Sequence, residues 1–82
     1  MTVDEAISEL TTRIKDASAD AVVRVKRRSN EEASIRAYAP ASDEDAIRSA
    51  TQELTLQLLM EEGLDVQVLV YDIATSLPPD QE

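Results

Sequence analysis

The feature that most limits what this chain can fold into is the repeat of its apolar residues. That repeat switches between helical and alternating spacing along the sequence. Over residues 3–17, Val3, Ala6, Ile7, Leu10, Ile14 and Ala17 recur at three- and four-residue intervals. This spacing predicts a helix with one apolar face. Thr2-Val3-Asp4-Glu5 supplies a capping box at its start, with Thr2 as N-cap and Glu5 three residues on. From residue 21 the period becomes two. Val23 and Val25 alternate with Arg24 and Lys26, which predicts a strand over 21–28. Ser29-Asn30 carries turn chemistry, since Asn tolerates left-handed backbone. Residues 33–39 alternate again, with Ala33, Ile35, Ala37 and Ala39 on one side and Ser34, Arg36 and Tyr38 on the other. A hairpin follows, with alanines small enough to let a helix approach the sheet closely.

Pro40 ends the second strand because it has no N–H to donate. Ser42 is expected to cap a second helix whose first turn, Asp43-Glu44-Asp45, places carboxylates at the positive helix end. Ile47, Ala50, Leu54 and Leu58 form its inward stripe, and Gly63 is a natural stop just past Glu62. Leu56, Leu59 and Met60 widen the stripe; packing against the first helix is the expected reason, and a helix-to-helix dimer contact is the lesser reading. Val66, Val68 and Val70 then alternate with Gln67, Leu69 and Tyr71 in a third strand. Residues 1–73 are expected to form a single α+β domain and 74–82, with Pro78-Pro79, a flexible C-terminal tail. The order α-β-β-α-β predicts a two-layer sandwich, a three-stranded sheet with both helices on one face. It is similar to the layouts of KH-like domains, of ring-building modules of secretion machines and of alkaline-shock envelope proteins. Leu64-Asp65-Val66-Gln67-Val68-Leu69-Val70-Tyr71-Asp72-Ile73 resembles the last strand of the alkaline-shock family. That segment carries no functional motif, and the Gly-rich loop of a KH domain is absent, so no family function is taken over.

Composition narrows the chemistry. The 82 residues include no His, Cys, Trp or Phe and a single Gly. Without imidazole or thiol there is no Cys–His or Ser–His–Asp arrangement, and the usual zinc, haem and iron–sulfur ligands are missing. One glycine cannot build a phosphate-cradling loop. Asp43-Glu44-Asp45 lacks the ligand spacing of a calcium loop. No catalytic residue, metal ligand or cofactor is expected, and the chain is read as non-enzymatic. No apolar run is long enough to span a membrane, and an acidic start without a signal pattern, together with zero Cys, is read as cytoplasmic.

Seventeen acidic residues against eight basic give a net charge of −9. Only Lys15 and Lys26 are lysines, and large aromatics are scarce. This composition resembles the acidic proteins of haloarchaea, whose carboxylates hold water and counterions in molar salt. With 43% hydrophobic residues in strong periodicity, a folded rather than a disordered chain is expected.

The charge is unevenly placed. Residues 1–39 hold seven cations and seven anions, whereas residues 40–82 hold Arg48 alone against ten acids. All of the net charge therefore belongs to the second half. Parity then fixes what the sheet presents away from its helices: Arg24, Lys26, Ser34, Arg36, Tyr38, Gln67, Leu69 and Tyr71. Of these, Arg24, Lys26, Arg36, Tyr38, Leu69 and Tyr71 are the expected contact residues, because Arg and Tyr anchor interfaces. Three readings of this face stand: a solvated sheet surface, a homodimer or other protein contact, and a nucleic-acid site using basic side chains and stacking rings. The expected reading is a homodimeric protein–protein module. Nucleic acid is the weaker alternative, because the rest of the molecule repels phosphate and molar salt suppresses counterion release. No membrane partner is expected.

Overall fold

A computed structural model describes residues 1–76. The periodic switches become α1 (Val3–Ala17), β1 (Val22–Arg27), β2 (Glu32–Ala39), α2 (Glu44–Gln57) and β3 (Asp65–Asp72). The sheet runs β1-β2-β3, so the alanine-rich strand is central. β1 pairs with β2 antiparallel, and β3 pairs with β2 parallel through the α2 crossover. Both helices lie on one face. Val3, Ala6, Leu10 and Ile14 of α1 share one buried cluster with Ile47 and Leu54 of α2 and with Ala33, Ile35, Ala37 and Ala39 of β2. The small side chains of β2 sit at the bottom of this layer, where the bulk comes from above. This is the two-layer α+β sandwich that the period changes predict.

The capping box at Thr2 forms as expected. The Glu5 N–H donates to Thr2 Oγ1 at 3.2 Å, and the Thr2 N–H donates to the Glu5 carboxylate at 3.0 Å. These bonds favour the charged carboxylate, and Glu5 is held below the usual glutamate range. The backbone bond from Thr2 is the largest cause, followed by its side chain.

Three local expectations are corrected. Ser42 does not cap α2. It lies inside a 3₁₀ turn, Ala41–Asp43, and α2 begins at Glu44 with Asp43 as its N-cap. The Asp43 side chain makes no cap bond either. It accepts a 2.6 Å hydrogen bond from Ser18 Oγ at the end of α1, a contact across 25 residues. Asn30 is not left-handed, since among the described residues only Gly63 has positive φ. The hairpin turn is built instead on Ser29, whose Oγ accepts from the N–H groups of Glu31 and Glu32 at 3.1 Å each. Finally, Leu56, Leu59 and Met60 do not pack against α1; they are 56%, 53% and 75% exposed.

The reason for that exposure is local. After Gln57 the helix widens into a π turn, Leu58–Glu62, which closes at left-handed Gly63 (φ 68°). Leu58 stays in the core one turn beyond Leu54, whereas at ~100° per residue Leu56, Leu59 and Met60 point well away from the buried stripe of Ile47, Thr51, Leu54 and Leu58. Beyond β3, the Ile73 N–H donates to the Ala39 carbonyl at 3.0 Å. Asp72 then organises a turn: its carboxylate accepts from Ala74 N–H at 2.9 Å and its carbonyl from Ser76 N–H at 2.8 Å. The rest of the expected tail, residues 77–82, lies outside the described residues.

Candidate interaction surface

Register converts the expected contact residues into rows. Across the uncovered face, Lys26 lies beside Ser34 and Gln67, Arg24 beside Arg36 and Leu69, and Val22 beside Tyr38 and Tyr71. The parallel β2–β3 pairing therefore unites all six expected residues on one surface. Neither helix covers it.

The two tyrosines do different jobs. Their rings stack with centroids 5.2 Å apart and planes 20° apart. Tyr38 on the central strand is buried, whereas Tyr71 on the edge strand is 37% exposed and Leu69 beside it 39%. Tyr38 thus supports Tyr71 from behind. Such a pair is worth about 0.5–1.5 kcal/mol beyond its area, so the exposed ring is held in place before any partner arrives. The cations grade similarly. Lys26 is exposed, while Arg24 and Arg36 are half-buried. Arg24 also donates to the Val23 carbonyl at 3.2 Å.

The stripe of Leu56, Leu59 and Met60 had the lesser reading of a helix-to-helix contact, but the groove it borders was not foreseen in the sequence. β3 is an edge strand, and beside it α2 leaves a groove of about 570 Å³. Thr55, Leu56 and Leu59 line it from the helix side and Val66 and Val68 from the strand side. Its only charged lining residues are Arg48 and Asp65. The available sequence signal was the lone second-half cation, Arg48, spaced one helical turn from Gln52 and two from Thr55.

Among the described residues, no group of three or more His, Cys, Asp or Glu is placed to hold a metal ion. No helix among them is long and apolar enough to cross a membrane. Comparison with known families, with characterised proteins and with solved structures finds no match for this chain.

Proposed function

We propose that this chain is a non-enzymatic protein–protein interaction module that pairs with a second copy through the open face of its sheet. The observation that carries the reading is the placement of Leu69 and Tyr71. Both are exposed side by side on a face that neither helix covers, and Tyr71 is braced by Tyr38. A small domain has a thin core, and self-association is a common way to extend it. The acidic composition supports a salt-rich cytoplasm as its setting. At about 1 M salt the Debye length is only ~3 Å, so two faces carrying Arg24, Lys26 and Arg36 can approach without strong repulsion.

The same residues could serve a nucleic-acid-binding accessory protein. The stacked geometry favours the protein contact, because Tyr38 is buried and only Tyr71 offers a ring for a base to stack on.

Sedimentation of the purified chain in roughly 2–3 M salt, where the surface charges are screened, tests the reading. A concentration-dependent dimer is expected, and a monomer at every concentration would remove it. An aromatic side chain spans about 200 Å², so the exposed part of Tyr71 offers roughly 70 Å², or about 2 kcal/mol at ~25 cal/mol/Å². Tyr71→Ala should therefore weaken pairing by roughly thirtyfold per ring. Titration with single-stranded RNA at low salt separates the alternative: tight binding there would favour nucleic acid over a second copy.

A further inference from the structure

The edge of β3 carries a second and independent message. In a parallel pair, alternate residues direct both their N–H and C=O groups to the neighbouring strand. The Asp65 N–H donates to the Glu31 carbonyl at 2.7 Å, and the Ile73 N–H donates to Ala39 at 3.0 Å. The register between them is unbroken. Odd-numbered residues of β3 therefore bond to β2, and even-numbered ones direct their backbone outward. Of these, Asp72 has its carbonyl committed to the turn that follows. Val66, Val68 and Val70 are left as a row of outward backbone donors and acceptors with no partner among the described residues.

Proteins usually protect such an edge with Lys, Pro, bulges or a covering segment. The opposite edge follows that practice, since β1 carries Arg24, Lys26 and Arg27 among its six residues. Among the described residues nothing of the kind protects β3. Between Asp65 and Asp72 it reads Val-Gln-Val-Leu-Val-Tyr, without charge, proline or glycine. The groove under Leu56 and Leu59 opens along the same edge.

We propose that β3 pairs antiparallel with β3 of a second copy, joining two sheets into one of six strands. This goes beyond the face contact proposed above and does not depend on it. The occupant follows from charge and symmetry. Charged residues are few there: of the groove lining only Arg48, which also pairs with Glu44 at 3.8 Å, and Asp65 carry charge, and β3 between Asp65 and Asp72 carries none, so the edge repels another copy less than the rest of the acidic half does. An antiparallel edge is also self-complementary under a two-fold axis, as an isologous contact requires.

The free groups determine the register. In an antiparallel ladder, hydrogen-bonded partners exchange two bonds and must both face outward. Three outward valines match themselves when Val68 lies opposite the second copy's Val68, with Val66 opposite its Val70. Opposed residues share a face, so both helix layers lie on the same side and the two grooves meet. Leu56 and Leu59 are then brought toward their counterparts. Across the pair, Asp65 lies opposite Tyr71 and Gln67 opposite Leu69, so no acid faces an acid.

Amide hydrogen exchange on the unmodified chain tests this, read by NMR with sedimentation at the same concentrations. In the associated state the Val66, Val68 and Val70 amides should be protected, and on dilution to monomer they should exchange rapidly. The Gln67, Leu69 and Tyr71 amides should stay protected in both. A dimer whose even-numbered β3 amides exchange as fast as in the monomer would overturn the edge pairing while leaving the face contact standing; a permanent monomer would overturn both. Val68→Pro adds a second measurement, because this N–H is not used in the β2 ladder. Circular dichroism should keep its shape while dimerisation weakens roughly a hundredfold, two lost donors at about tenfold each. A folded Val68→Pro chain that dimerises normally, with Val66 and Val70 amides unprotected, would also refute the pairing.

Discussion

Replacing Ser18 with Ala tests how the two helices of this small domain are held together. Ser18 lies at the end of α1 and is buried. Its hydroxyl donates to the Asp43 carboxylate at 2.6 Å, and Asp43 is the residue from which α2 starts. One bond thus ties the exit of one helix to the entry of the other. Hydrogen bonds to charged acceptors contribute about 1.5–3 kcal/mol. Asp43 is half-buried, so water can replace part of the lost bond. The expected loss for Ser18→Ala is therefore about 1–2 kcal/mol, or roughly 4–8 °C in melting temperature per kcal/mol for a domain of this size. Urea unfolding of Ser18→Ala, Asp43→Ala and the double variant closes a cycle. A coupling of about 1–2 kcal/mol with unchanged m-values is expected. If instead Asp43 acted only as a local cap, its loss would cost about 1 kcal/mol whatever stood at position 18. Additivity within ~0.5 kcal/mol would refute the tie.

Three further outcomes are expected. Gly63→Ala should cost about 1–2 kcal/mol in urea unfolding; an added Cβ meets nothing within 4 Å, so the cost comes from the left-handed backbone alone (φ 68°), and an unchanged midpoint would argue against that source. Glu5 should titrate below ordinary glutamate, so its contribution to α1 is present above the usual carboxylate pKa of about 4.3 and is lost as pH falls through the lower folded value. Thr2→Ala should move the Glu5 titration, followed by carboxyl NMR, back toward the ordinary range. Moving from molar to millimolar salt should lower the unfolding temperature followed by circular dichroism, because the charge of −9 is then unscreened; an unchanged melting curve would count against adaptation to salt.

Most of the fold was legible in the sequence, because secondary structure here follows burial. The alternation of Val23 with Arg24 and the helical spacing of Ile47, Leu54 and Leu58 each admit only one period. What was not legible depends on partners distant in sequence. Asp43 looked like part of a charged helix start, and only the fold shows its carboxylate committed to Ser18. Ser29 and Asn30 are both turn residues, and nothing local says that the serine hydroxyl would take the two free amides. Leu59 looked like core because it adjoins Leu58 in an apolar run, although helical spacing turns it ~100° from the stripe. The expected contact face was largely readable, since parity assigns sides without knowing strand order. Its inner division was not. That Tyr38 is buried and Tyr71 exposed follows from β2 being central, which the order of elements alone does not dictate.

The distribution of charge connects the two proposed contacts. A chain of net charge −9 meets a copy of itself against mutual repulsion unless salt or geometry intervenes. The described acids of the second half stand mainly on α2 and the π turn, at Asp45, Glu53, Glu61 and Glu62, all exposed. Two parts of the surface are spared. The open face carries Arg24, Lys26 and Arg36 with no acid in its three central rows, and the β3 edge is neutral between its terminal aspartates. These same two regions hold Leu69, Tyr71, Leu56 and Leu59, the exposed large apolar residues apart from the Met1 and Met60 side chains. Acids do stand close to the leucines of the groove: Glu53 precedes Leu56 by three residues on α2, Glu61 and Glu62 follow Leu59 in the π turn, and Asp65 shares the groove lining. The open face is therefore the surface on which the proposed contact between copies meets least repulsion, and the proposed edge contact depends more on salt.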